Sequence, residues 1–325
     1  MAAKQPPLRW GLLSTAHINR ALISAIRASR RSRLVAVASR TAKSADTYAR
    51  KWGISTAHAS YEALLADPNV DVIYIPLPNH LHTEWAVKAM HAGKHVLIEK
   101  PLALTVEDVQ RIIQASAETG MVAAEAFMYR HHPQTLKVHK LLVEGAIGEV
   151  RLIRGVYTFH LSRPENYRWT PEAGGGSLWD VGCYPISFAR MVMGMAPSQV
   201  QGWQQQADSG VDLTFTGQMT YPIGAFAQVM SSYGTAFSQS VEIIGAEGRI
   251  LISRPFSPVL QWTRFTLEQG KRTRHIITAP AYLYSGEVAD MEQAVLDGGA
   301  PRIPLSESLD NISTLIDFYN SAKDK

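Results

Sequence analysis

The chain has 325 residues, 46% hydrophobic and 18% charged, which suits two packed domains of about 100–200 residues and excludes a disordered chain. The longest mainly apolar stretches, such as 70–77, are strand-length and broken by charge or Pro, which argues against a membrane-spanning helix. A strand pattern under way at Leu8 reads as leaving no room for a signal peptide. The formal net charge is +4, but the one basic cluster, Arg27, Arg30, Arg31 and Arg33, reads as a solvated helix end and loop. No nucleic-acid motif accompanies it, and a single cysteine, Cys183, excludes a disulfide framework or thiolate metal cluster and fits a reducing cytoplasm.

The first ~125 residues alternate strand and helix, the signature of a parallel sheet with crossover helices. Strands are predicted at 8–13, 34–38, 70–75, 95–98 and 122–125. Helices are predicted at 18–28, 42–51, 61–65, 84–92 and 106–119. In the first helix Ile18, Leu22, Ala25 and Ile26 share one face, and Gly120 stops the last. After Glu125 the pattern changes. Helices at 132–144 and 177–193 accompany longer strand-like runs at 150–161, 200–206, 212–221, 225–232, 240–244, 249–253 and 262–268, joined by short turns such as Pro222-Ile223-Gly224. That order predicts a mostly antiparallel sheet. Helices at 286–296 and 305–319 finish the chain. The fold class is therefore α/β: a doubly wound parallel dinucleotide-binding domain over 1–124, then a substrate-binding and oligomerisation α/β domain over 125–325 with a large, mostly antiparallel open sheet.

Ser14-Thr15-Ala16-His17-Ile18-Asn19 stands between the first strand and helix, where a G-x-G-x-x-G fingerprint belongs, with Ser14, Ala16 and Asn19 at the glycine positions. Small side chains still allow close backbone approach, and a helix N-terminus attracts pyrophosphate. At the end of the second strand, no acidic residue occurs from Leu34 through Ser44. Ser39, Arg40, Thr41 and Lys43 form a candidate nest for a 2′-phosphate, so NADP is expected over NAD.

Three further segments complete the pattern: Ile75-Pro76-Leu77-Pro78-Asn79-His80-Leu81-His82, Glu99-Lys100-Pro101-Leu102, and Gly174-Gly175-Gly176-Ser177-Leu178-Trp179-Asp180-Val181-Gly182-Cys183-Tyr184. In this order they resemble the Gfo/Idh/MocA oxidoreductase family along nearly the whole chain. Ser-Thr-Ala in place of Gly-x-Gly, together with Glu125-Ala126-Phe127-Met128-Tyr129-Arg130, looks like the branch of dimeric dihydrodiol dehydrogenase and NADP-dependent xylose dehydrogenase. The resemblance implies a Rossmann domain and hydride transfer to or from a sugar-like ring. It also implies an open sheet commonly used for dimerisation, hence a homodimer or higher homo-oligomer. Cofactor contacts are expected from residues 14–18, Ser39, Arg40, Thr41, Lys43, Pro76, Leu77, Asn79, His82, Glu99 and Lys100. Asn79 has an equal alternative as the cap of the next helix.

Moving a hydride from an alcohol requires a proton acceptor beside the carbon that loses it, and the reverse requires a donor. Lys100 and Tyr184 match the family's candidates. A lysine near a tyrosine favours the phenolate, so Tyr184 is assigned as acid/base, with Lys100 tuning it and bonding the reacting oxygen. Asp180, four residues before Tyr184 on a predicted helix, shares its face and orients the lysine or a substrate hydroxyl. Arg163, Tyr167, Arg168 and Trp169 are candidate substrate contacts. His80 and His82 lack metal-site spacing, and no metal is expected. Two readings compete: a glycosidase that uses a tightly bound nicotinamide transiently, and a non-catalytic NADPH-binding redox sensor.

Overall fold

The computed structural model describes residues 6–258 and 260–323. The chain divides into two compact units, Met1–His131 with Tyr282–Leu309, and His132–Ala281 with Asp310–Lys325. The sequence reading ran the second domain unbroken to the C-terminus. The chain instead returns to the first unit after Ala281, a long-range event that helix and strand patterning does not signal.

In the first unit the strands are β1 (Leu8–Leu13), β2 (Ser32–Ala38), β3 (Thr56–His58), β4 (Val72–Ile75), β5 (His95–Glu99) and β6 (Ala123–Ala126). They form one sheet in the order β3-β2-β1-β4-β5-β6, every neighbour parallel. Helices α1 (Asn19–Ala28), α2 (Ala42–Trp52), α3 (Tyr61–Leu65), α4 (His82–His91) and α5 (Val106–Thr119) make the crossovers. β4 is buried throughout, which is why it reads as an unbroken apolar run. α5 starts where Thr105 Oγ1 accepts from Asp108 N and ends at Gly120, the stop that its sequence indicates. Strand order reverses between β1 and β4, opening a crevice outside their carboxyl ends.

The returning segment adds α8 (Ser285–Leu296), which packs on α1. Glu292 Oε1 accepts from the hydroxyls of Ser29 and Ser32, and Arg31 pairs with Asp297 at 2.7 Å. Arg27 donates to the Trp52 carbonyl. Two members of the basic cluster are thus used within the fold, in keeping with a solvated helix end.

The second unit opens with α6 (Pro133–Val143) and is built on β7 (Val150–His160), β8 (Gln199–Gln206), β9 (Asp212–Thr220), β10 (Phe226–Ser232), β11 (Gly234–Gly245), β12 (Gly248–Ile252), β13 (Thr263–Gln269) and β14 (Arg272–Thr278). Their order is β14-β13-β12-β11-β7-β10-β9-β8, antiparallel except where β10 meets β7. α7 (Cys183–Met193) and the later part of α9 (Leu305–Lys323) cover one face. Close approach there depends on glycine: a Cβ on Gly155 would lie 2.6 Å from Pro185 Cβ, and one on Gly217 would lie 2.5 Å from the Phe318 ring. The opposite face carries Trp203 and Met230, 48% and 42% exposed, on either side of Thr216.

Three local differences from the sequence reading have physical causes. β3 is a three-residue edge strand, too short for a pattern. β14 is an exposed edge strand carrying Arg272, Arg274 and His275, so no apolar alternation marks it. The helix expected over 177–193 begins as a π-turn, Leu178–Gly182, before α7. Pro185 has no N–H to return to the preceding turn, which leaves the register free to widen there.

Candidate active site

The crevice of the first unit is shaped by backbone as much as by side chains. Ser14 adopts φ +144, a conformation that favours glycine, so the first fingerprint position keeps its geometry without its usual residue. Its hydroxyl accepts from Ala16 N at 3.2 Å, and its carbonyl accepts from Asn19 Nδ2 at 2.8 Å. Asn19, at the third glycine position, is fully buried and braces the turn from within. His17 and Ile18 stay exposed at the mouth of α1, with Thr15 and Ala16 half-buried beside them. This is a helix N-terminus open to an anion.

Thr15, Thr41 and Lys43 are brought together in the wall of a cavity of about 420 Å³, which Ser44, Thr47, Tyr48 and Lys51 complete. Thr41 Oγ1 also caps α2 by accepting from Ser44 N. The last four residues were missed in sequence, although Lys43, Thr47 and Lys51 recur at helical spacing and so share one face of α2. Ser39 is nearly buried, and exposed Arg40 stands outside this wall, close enough for its charge to act on Tyr61. Hydroxyls and two ammonium groups in one concavity fit a phosphorylated dinucleotide.

Pro76, Leu77 and Asn79 are buried in the turn after β4. α4 begins with no side-chain cap, so the capping alternative for Asn79 is not realised there. His82 is corrected. It is fully buried, with Nδ1 2.9 Å from the Pro101 carbonyl and Nε2 2.8 Å from the Leu77 carbonyl. A ring so enclosed cannot touch a dinucleotide; it bridges the turns that follow β4 and β5. Burial pushes its pKa down to about 4, and the neighbouring Lys100 charge acts in the same sense. The neutral ring has one N–H, so only one of the two contacts is a hydrogen bond at any moment.

Lys100 follows β5 directly, half-buried, and its bond to Pro101 is cis. Glu99 accepts from the Tyr74 hydroxyl. Glu125, at the end of β6, is buried: Oε1 accepts from Leu102 N at 2.9 Å, and Oε2 accepts from Ser308 Oγ at 2.6 Å. Burial raises its carboxyl to about 7.

In the second unit the glycine loop is held by residues that the sequence does not mark. Gly176 has φ +108, and its carbonyl accepts from the Tyr233 hydroxyl at 2.8 Å. Buried Asp212 caps the turn that follows: Oδ2 accepts from Ser177 Oγ at 2.6 Å and Leu178 N at 2.8 Å. Asp180 accepts from Arg168 Nε at 2.7 Å. Arg168 thereby serves to fix Asp180, and its guanidinium also lies over the Tyr167 ring. Trp169 donates to the Arg163 carbonyl at 3.0 Å and packs edge-on against Tyr233, while the Arg163 side chain is exposed. Tyr184 is nearly buried in an aromatic group with Tyr157 and Phe256. Among the described residues no three His, Cys, Asp or Glu are grouped to hold a metal, and no helix is long and apolar enough to cross a membrane.

The Gfo/Idh/MocA model described as an oxidoreductase family with an NAD-binding Rossmann fold matches residues 8–127, and the family's C-terminal domain model matches 135–251. Over 97% of this chain and 98% of its own length, the D-xylose 1-dehydrogenase (NADP(+)) 2 of Haloferax volcanii is 35% identical. The chain belongs to the Gfo/Idh/MocA oxidoreductase family. The dTDP-3,4-didehydro-2,6-dideoxy-alpha-D-glucose 3-reductase of Actinomadura kijaniata is 31% identical over 99% of this chain and 98% of its own. A 3-ketoreductase from Actinomadura kijaniata, solved in complex with NADP and TDP-benzene, superposes with a TM-score of 0.91 at 30% identity, covering 97% of this chain and 98% of that one. The named relatives act as dehydrogenases and reductases on sugar-related compounds, and this chain is an oxidoreductase of the same family.

Proposed function

We propose that the protein is an NADP(H)-dependent dehydrogenase or reductase that moves a hydride between the nicotinamide and a hydroxyl or carbonyl carbon of a sugar or related polyhydroxylated ring. The observation that carries this reading is Lys100 at the carboxyl end of β5, one strand from the β1/β4 crevice with its glycine-like Ser14 turn. Named relatives that use NADP or reduce a keto-sugar support the cofactor and the substrate class.

Residues 14–18 receive the pyrophosphate, with Pro76, Leu77, Asn79 and Glu99 lining the same crevice. The cavity of Thr15, Thr41, Lys43 and Lys51, with Arg40 and Ser39 at its margin, takes the adenosine 2′-phosphate. The nicotinamide supplies or accepts the hydride. In the oxidising direction the Tyr184 phenolate takes the hydroxyl proton as the C–H bond breaks; in reduction the phenol returns it to the carbonyl oxygen. Lys100 bonds that oxygen and favours the phenolate, and Asp180, held by Arg168, orients the lysine or a substrate hydroxyl. Arg163, Tyr167 and Trp169 meet the ring's other hydroxyls.

The protein works in the cytoplasm, where its single buried thiol, Cys183, stays reduced. Two copies pair through the open sheet face on which Trp203 and Met230 stand exposed on either side of Thr216, large apolar side chains that pairing would cover. Sedimentation of a lone monomer at micromolar concentration would remove that part of the reading.

Titration with NADPH and NADH, then a panel of aldoses, keto-sugars and trans-dihydrodiols followed by nicotinamide absorbance, tests the assignment. Steady net NADPH formation or consumption is expected. Sugar release with no net change would instead mean transient cofactor use in a glycosidase. Tyr184→Phe should lower kcat by about 10²–10⁴ with NADPH affinity unchanged; wild-type turnover in that variant would refute the acid/base role.

A further inference from the structure

The two residues after Lys100 have their backbone polar groups held from different elements. The Pro101 carbonyl lies on His82 Nδ1 at 2.9 Å, and the Leu102 N–H donates to Glu125 Oε1 at 2.9 Å. Glu125 is itself anchored, Oε2 accepting from Ser308 Oγ at 2.6 Å, and the single N–H of the neutral His82 ring serves either Pro101 or the Leu77 carbonyl, 2.8 Å from Nε2. Four segments of the first unit, the turn after β4, the start of α4, the end of β6 and the first turn of α9, therefore converge on one turn.

Burying a carboxyl and an imidazole is costly, and apolar residues of similar volume fill a core more cheaply. The polar pair does what apolar filling cannot, which is to fix the direction of a short backbone segment at both its C=O and its N–H. We infer that His82 and Glu125 are positioning residues, a two-point clamp that sets where the Lys100 ammonium stands. The inference rests on the reading of Lys100 as the group that bonds the reacting oxygen. A displacement of even about 1 Å at such a group lowers turnover by up to about 10²-fold.

Gln at position 125 preserves both contacts: its carbonyl accepts from Leu102 N and its amide donates to Ser308 Oγ. Leu keeps the volume and removes both. Kinetics are measured on the panel substrate that wild type turns over fastest, alongside NADPH affinity by fluorescence titration and thermal melting. Glu125→Leu and His82→Phe are expected to lower kcat at least tenfold with NADPH affinity within threefold, and Glu125→Gln to stay within threefold of wild type. In a Lys100→Ala background the same Glu125→Leu change should cost less than a further threefold, because the group it positions is gone. Where Glu125→Leu does not fold, Ser308→Ala removes only the second anchor. It should lower kcat about threefold in wild type and not at all on Lys100→Ala. Equal losses with and without Lys100, or wild-type kcat in Glu125→Leu, would overturn the clamp and leave the Lys100 reading standing. Wild-type turnover by Lys100→Ala would overturn that reading, and the clamp with it.

Discussion

Replacing Gly176 by Ala should damage the second unit far more than an ordinary glycine substitution. Gly176 sits at φ +108, and an added Cβ would lie 2.1 Å from Asp212 Oδ1. Backbone strain alone costs about 1–2 kcal/mol. The displaced carboxyl also gives up its bonds to Ser177 Oγ and Leu178 N, each worth about 1–2 kcal/mol in a buried setting. The total is about 4 kcal/mol. Gly194→Ala is the matched control: it closes the other end of α7 at φ +63 with nothing within 4 Å, so only the backbone term of about 1 kcal/mol applies. For a unit of this size each kcal/mol moves Tm by roughly 2–4 °C. Calorimetry should therefore show the second unit of Gly176→Ala melting roughly 8–16 °C lower, against roughly 2–4 °C for Gly194→Ala. Two variants melting within about 2 °C of each other would mean that Asp212 relaxes freely, and the capping argument would fail.

Removing the cavity lysines should separate the two cofactors. Lys43→Ala and Lys51→Ala should each weaken NADPH binding about tenfold, the loss of one charge-assisted contact, while NADH binding holds; equal loss for both cofactors in titration would move the 2′-phosphate elsewhere. A pH effect follows from Glu125, whose folded carboxyl is raised to about 7 against an unfolded value of about 4.5. The raised carboxyl's contribution is complete below the unfolded value and is lost as pH rises through about 7. Glu125→Gln, which has no proton to lose, should therefore gain up to about 3 kcal/mol on wild type between pH 5 and pH 8. Chemical denaturation at the two pH values measures it, and a pH-independent difference would show that the carboxyl titrates normally.

The first-unit elements were legible because their signals are local. The all-buried β4 shows as an apolar run, and Gly120 stops α5 within the helix's own neighbourhood. The glycine-like turn at Ser14 was legible for the same reason, since small residues between a strand and a helix leave few other conformations. Edges carried no such signal: charged β14 hides its strand character in the side chains that keep it from pairing further.

The site separates along the same line. Lys100, Asp180 and Tyr184 stand in short contiguous segments, Glu-Lys-Pro and the glycine-rich run 174–184, whose signal is local and so reads as a motif. The groups that hold those segments answer only to a backbone N–H or C=O. Asp212 reaches Ser177 across 35 positions, Tyr233 reaches Gly176 across 57, and Ser308 reaches Glu125 across 183. Any hydroxyl, carboxyl or imidazole arriving from any distance can meet such a need, so no spacing announces it. His82 shows the consequence. Its place in the Pro-Leu-Pro-Asn segment suggested a ligand contact, yet both ring nitrogens face carbonyls of the protein itself. A motif in sequence marks where a site lies; whether a given member faces the ligand or the scaffold is decided by where its polar atoms find partners.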